Sequence, residues 1–256
     1  MRNYLIIVEG AHDIALIEKL LQLNGVNQRI GNENSLPEVW RHTIPTRYPF
    51  SADRLERITP IPSFVKNEDI SVAIKNANSD TEIMSVLKQT LHLMEVRELD
   101  QISGIMLICD ADNLSAVEKK KKLLESRSET VDFTLNENTM ELDVKIKRIP
   151  LYTFVFPDNE QKGNLENLLI QTAEVAYPEL LRLANNYVDK ASDYCKNLKK
   201  EQKAKKAIVG CIANAMKPGK ANQVSIADDN WVSVQTLNEC AMLQKLSAAL
   251  KEMICK

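Results

Sequence analysis

Four carboxylates fall into two pairs that could serve one site. Glu9 closes the apolar run Tyr4–Val8, and Asp13 follows in the first turn of the next helical stretch. Asp110 closes the apolar run Gly104–Cys109, and Asp112 follows in the loop. Acids placed just beyond the carboxyl ends of strands lie where open α/β sheets form their ligand crevice. If the two strands are neighbours, the carboxylates converge and repel, because like charges at close range disfavour joint ionisation. A bound cation resolves that conflict. Oxygen donors without His or Cys select a hard ion, Mg2+ or Mn2+, over zinc. Such an ion binds phosphate oxygens and activates water for in-line displacement. Each acid also has a plain structural reading: Asp13 favours the amino end of its helix, and Asp110-x-Asp112 can close a turn. Both pairs follow the two most apolar strands directly, and that combination favours the chemical reading.

The composition narrows the alternatives. A chain of 256 residues makes one large domain or a core with an appendage. Hydrophobic residues at 44% and charged residues at 27% are ordinary for a globular protein. The net charge of −2 advertises no bulk affinity for nucleic acid, so any such contact needs a local basic patch. Only 7 glycines argue against glycine-rich phosphate loops. His12, His42 and His92 with five scattered cysteines and no CxxC pair supply no zinc site. An odd set of thiols reads as reduced cysteines of a cytoplasmic protein. The apolar run before Glu9 is too short for a signal-peptide core. No apolar run approaches the roughly 18 residues of a membrane span, so no membrane contact is expected.

The elements that must position these acids follow from periodicity. Tyr4–Val8, Ile70–Ile74, Gly104–Asp110 and Leu151–Phe156 read as buried strands. Ala11–Asn24, Thr81–Val96 and Leu114–Glu125 carry helical spacing between them, with Gly25 as a stop signal. Val131–Leu135 and Glu141–Ile146 alternate like a hairpin across Asn136–Thr139. Residues 28–66 break the pattern and hold five prolines, Pro37, Pro45, Pro49, Pro60 and Pro62. They read as an insertion with one short strand near Val39–Ile44. A stretch this long without regular structure suggests a lid or binding element. From Gly163 the chain turns helical: Leu165–Ala176, Pro178–Leu198, Glu201–Met216 and Ser233–Ile254. The fold class is therefore α/β, a mostly parallel sheet flanked by helices with an α-helical C-terminal extension. Residues 1–160 form the α/β domain and 161–256 the extension packed on it. Trp231, Leu237, Met242, Leu243, Leu246, Leu250 and Met253 are expected in the core, as is Cys109.

Val8-Glu9-Gly10-x-x-Asp13, followed about 100 residues on by Asp110-x-Asp112, resembles the Toprim domain. That domain is shared by topoisomerases, DnaG-type primases, a small nuclease that matures ribosomal RNA, and nucleases of the OLD (overcoming lysogenization defect) family. The resemblance covers about residues 3–170. It implies a compact sheet of about four parallel strands, Glu9 as a metal ligand or general acid/base, and Asp110 and Asp112 as Mg2+ ligands. Phe154–Asn159 followed by Gly163–Leu169 resembles small stand-alone Toprim-related bacterial proteins of unknown function. OLD-type nucleases place a Glu after a later strand, as a further ligand of a two-metal site. Glu166 matches that position, with Asp158 the second candidate. They also use a downstream Lys near the metals, and Lys206 is its candidate here. Asn113-Leu114-Ser115 departs from the glycine-bearing turn of the primases and the maturation nuclease, which argues against ribosomal-RNA maturation.

Two basic segments could supply the local patch. Lys119–Lys122 follow the Asp110/Asp112 loop, and Lys196, Lys199, Lys200, Lys203, Lys205 and Lys206 cluster downstream. Lys119, Lys120, Lys199, Lys200 and Lys203 are the expected contacts to a phosphate backbone; a solvated helix face is the plain alternative. Aromatic residues at 5% offer no stacking platform. The expected function is a Mg2+- or Mn2+-dependent nuclease acting on DNA or RNA, with a role in phage defence. The alternatives are a toxin-like or regulatory subunit active only with a separate ATPase protein, since the chain has no G-x-x-x-x-G-K-[ST] loop, or a catalytically silent nucleic-acid-binding module.

Overall fold

The computed structural model describes residues 1–44, 61–125, 133–145 and 147–255. The chain runs β1 (Arg2–Val8), α1 (Ala11–Leu23), β2 (Gln28–Arg29), β3 (Ser63–Lys66), β4 (Ile70–Asn76), α2 (Ile83–Leu93), α3 (Val96–Leu99) and β5 (Ile102–Asp110). It continues through α4 (Ala116–Glu125), β6 (Thr134–Asn136), β7 (Glu141–Val144) and β8 (Lys147–Phe156). The helices α5 (Leu165–Ala176), α6 (Pro178–Ser192), α7 (Glu201–Met216), α8 (Asn222–Asp228), α9 (Val234–Glu239) and α10 (Ala241–Cys255) complete it.

The strands form one mixed sheet in the order β2-β3-β4-β1-β5-β8-β7-β6. Its centre, β4-β1-β5-β8, is parallel, and both edges are antiparallel. The central strands read as near-continuous apolar runs because both faces are covered. Side chains alternate across the pleat. Tyr4, Ile6, Val8, Met106, Ile108, Phe154 and Phe156 pack under α1 and the C-terminal helices. Leu5, Ile7, Ile105, Leu107, Cys109 and Val155 pack under α2, α3 and α4. Chain leaving β1 thus turns to one face and chain leaving the neighbouring β5 turns to the other. Their divergence opens a crevice at the carboxyl edge, as at the switch point of other open sheets.

The expected α/β architecture with a helical extension stands, and several local readings change. Val39–Ile44 is not a strand: Glu38–Thr43 is a 3-10 helix. Trp40 anchors it, fully buried, with its indole N–H donating to Ser71 Oγ on β4 at 2.8 Å. The described part of the insertion is therefore packed into the fold, and its β3 lengthens the sheet. Thr81–Val96 divides into a 3-10 turn, α2 and α3, because Glu98 caps a second start at Glu95 N at 2.8 Å. Leu114–Glu125 begins two residues late, at Ala116, after a reciprocal cap between Ser115 and Glu118. Pro178–Leu198 stops at Ser192 and resumes as a 3-10 turn over Lys196–Lys199.

Ser233–Ile254 is likewise broken in two. Gln171 Oε1 on α5 accepts both Cys240 Sγ–H and the Met242 amide at 2.9 Å, pinning the junction of α9 and α10. Val131 and Ile146, expected in the hairpin of β6 and β7, lie outside the described residues. Trp231 is fully buried as expected, donating to Ser225 Oγ at 2.9 Å and meeting Tyr177 edge-on at 5.3 Å. Among the described residues, no helix is long and apolar enough to cross a membrane.

Candidate functional site

At the carboxyl edge of β1 and β5 lies a cleft of about 240 Å³ lined by Glu9, His12, Asp13, Asn78, Asp110, Glu166 and Lys206, with neighbouring backbone. Each acid is held by local geometry. Glu9 stands at the end of β1, and the Asp110 amide donates to its Oε2 at 3.2 Å. Asp13 turns back over the start of α1 to accept the Gly10 amide at 2.6 Å, the favoured arrangement for an acid in a first helical turn. Asp110 Oδ1 accepts the Leu165 amide at 2.8 Å, so the amino end of α5 is seated on the end of β5. That seating swings Glu166, in the first turn of α5, into the cleft.

The site carries more negative charge than it neutralises. Burial pushes the Asp13 carboxyl up to about 7, and Glu9 and Glu166 add to the rise. Burial, then Asp13, Glu9 and Glu166, hold Asp110 well above the usual carboxylate range. Burial also raises Glu9 and Glu166; Lys206 opposes the rise at Glu166. Glu166 is only 6% exposed and its Oε2 has no hydrogen-bond partner. Its Oε1 lies 3.9 Å from the exposed Lys206 ammonium on α7. An unpartnered buried carboxylate oxygen is costly and marks a place where a cation fits. The all-oxygen donor set suits a hard divalent ion. As the side chains stand, no group of three or more His, Cys, Asp or Glu among the described residues forms a metal site. The donor chemistry fits the ion; a ligating arrangement is not preformed.

The remaining expected residues separate. Asp112 sits beside the cleft in the left-handed region, φ 55, where non-glycine residues are uncommon. Paired backbone hydrogen bonds to Gly163 (2.7 and 3.0 Å) fix it there. Its carboxylate accepts Gln202 Nε2 of α7 at 3.3 Å and lies 3.7 Å from Lys119 Nζ. Lys119 does not face solvent as a phosphate contact would. It is 4% exposed and donates to Asp80 at 2.8 Å, because it occupies the inward face of α4 with Ala116 and Leu123. Lys120 borders a different hollow, beside Met106 and Tyr152. Lys199, Lys200 and Lys203 are exposed near the start of α7. Asp158 is not brought to the cleft. It is 2% exposed and accepts the Glu160 and Gln161 amides and Lys245 of α10, which uses both its oxygens.

A sequence profile of one family spans residues 3–255, nearly the whole chain. The chain belongs to the family described as "Protein of unknown function (DUF3226)". The crystal structure of a hypothetical protein from Pyrococcus horikoshii OT3 is similar, with a TM-score of 0.53 at 18% identity. The match covers 98% of this chain and 100% of that one, and at such identity it shows the fold alone. No curated protein matches the chain.

In this DUF3226 chain, sequence reasoning missed His12, Asn78, Asp80 and Gln202. Asp80 obeys the same rule as the acids that were found, an acid a few residues beyond a buried strand, here β4. Lys119 beside it holds its carboxyl below the usual range. His12 lies beside Asp13 in the first turn of α1. Burial, then Lys206, keeps its imidazole below its ordinary value and so neutral near pH 7. Gln202 carried no local signal, since it reaches Asp112 across 90 residues.

Proposed function

We propose that the cleft is the active site of a Mg2+- or Mn2+-dependent phosphodiesterase acting on DNA or RNA, a nuclease of Toprim type. The observation that carries this reading is that Glu9, Asp13, Asp110 and Glu166 line one cleft and that Glu166 Oε2 is buried there without a partner. A bound ion, held by Asp110 and Glu166 with Glu9 and Asp13 beside them, would polarise a phosphate oxygen and acidify a water.

The chain's own groups do the rest. Glu9, raised by burial, is a better proton acceptor near neutral pH than an ordinary carboxylate. Lys206 places an ammonium at the cleft mouth, where it meets a phosphate oxygen. Lys203 acts on the charge of Glu166, and with the exposed Lys199 and Lys200 it would position a backbone without reading its sequence. The test is cleavage of single- and double-stranded DNA and RNA by the purified chain with Mg2+, Mn2+ or chelator. Metal-dependent cleavage that Asp110→Asn abolishes is the expected result. No cleavage of any substrate with either ion sinks the reading for the chain alone. Cleavage that needs an added ATPase protein would favour the partner-dependent form.

A further inference from the structure

We propose that Lys119 permanently fills one lobe of the acidic site, so that the protein holds a single divalent ion, in the lobe of Asp13, Asp110 and Glu166. This rests on the reading of the cleft given above and adds its ion stoichiometry. The acids fall into two groups that meet at Glu9. Asp13, Asp110 and Glu166 line the cleft, and their nearest paired ammonium, Lys206, stands 3.9 Å from Glu166 Oε1. Glu166, which lines this lobe, carries a buried Oε2 without a hydrogen-bond partner.

The second group already holds an ammonium. Asp80 from the loop after β4 and Asp112 from the loop after β5 close on Lys119 Nζ at 2.8 and 3.7 Å. Asp80, Lys119 and Asp112 all act on the charge of Glu9, and Asp112 acts on Glu166 as well, so the two groups adjoin. Lys119 is not a surface lysine folded inward. Ala116, Lys119, Leu123 and Leu124 form the buried face of α4, so its ammonium is delivered by the packing of the helix. Withdrawing it would leave two half-buried carboxylates, Asp80 and Asp112, without their shared cation. A divalent ion on the same oxygens would face that ammonium at close range and be repelled. Asp112 is further fixed in place by Gln202 of α7 and by the Gly163 bridge.

Calorimetric titration of the metal-free full chain with Mn2+, checked by electron paramagnetic resonance of the free ion, tests this. The parent chain should take one Mn2+. Lys119→Met, which keeps side-chain length and removes the charge, should take two, and adding Asp80→Asn should return the count to one. Two ions on the parent, or a folded Lys119→Met chain that still takes one, would overturn the inference and leave the phosphodiesterase reading intact. No ion on the parent would remove both. If circular dichroism shows that Lys119→Met does not fold, Asp80→Asn alone decides. It should change Mn2+ affinity by less than about tenfold, since Asp80 is ion-paired with Lys119 and is not in the lining of the cleft; a loss of about 10–100-fold would make Asp80 part of the ion's own surroundings and overturn the inference.

Discussion

Asp110 ends one of two adjacent parallel strands and Asp158 follows the other, and they meet opposite fates. Asp110 is half-buried among Asp13, Glu9 and Glu166 and receives one backbone hydrogen bond, from Leu165. Asp158 is only 2% exposed, and burial alone would raise its carboxyl. The Gln161 and Glu160 amides and Lys245 outweigh that and hold it below its ordinary value. One region is short of positive charge and the other is fully satisfied. Burial of an acid therefore does not mark a functional site; its unmet demand for a cation does.

The comparison breaks most decisively on activity. Asp110→Asn or Glu9→Gln should lower metal-dependent phosphodiester cleavage by at least about 10²-fold, the low end for a positioned proton-transfer group. Asp158→Asn should leave the rate within a few-fold. Equal losses at both positions in a cleavage assay would erase the distinction.

Stability should differ in sign. Asp158→Ala strips the Glu160 and Gln161 amides of their acceptor and should cost about 1–3 kcal/mol in denaturant unfolding. Asp110→Asn in metal-free protein should be neutral or stabilising, because it removes repulsion from the cleft. Mg2+ should raise the melting temperature of the parent and not of Asp110→Asn.

Acidity should separate the two regions again. Asp13 titrates near 7 in the folded chain against 3.8 ordinarily, so between those values the folded state binds more protons than the unfolded one. Its stabilisation is present below about pH 4 and is lost as the pH rises through about 7, by on the order of a few kcal/mol. Asp158 has the reverse sign: its contribution is present above its unfolded value and is lost as the pH falls through its lowered one. Metal-free melting temperatures should therefore fall from pH 5 to 7, less so in Asp13→Asn. The loss on acidification below pH 4 should shrink in Asp158→Asn.

The smallest effect concerns the lysines. Replacing Lys199, Lys200 and Lys203 with Ala should flatten the dependence of log K on log[salt] by roughly 0.7 per phosphate contact for a single strand. An unchanged slope would make that segment a solvated face.

Most of the architecture was legible because it rests on local pattern. The apolar runs of β1, β4, β5 and β8 could only be buried strands, and α5 and α7 begin and end where their periodicity does. The failures share a cause. Val39–Ile44 looks extended until Trp40 is seen tied to Ser71, and the last helix looks continuous until Gln171 reaches its midpoint. A hydrogen bond from a distant element overrode local preference in each case.

For the site, residue type and strand-end position alone singled out Glu9, Asp13, Asp110 and Asp112, because a strand's end is a local property. Which acids share the cleft was decided by tertiary structure. Strand order set Asp110 beside Glu9, and the seating of α5 on Asp110 carried Glu166 in while Asp158 was drawn to α10. Lys119 and Lys120 are neighbours in a run of identical residues, yet only Lys119 faces the acids, because a helix turns about 100° per residue and only the packed sheet fixes which face turns inward.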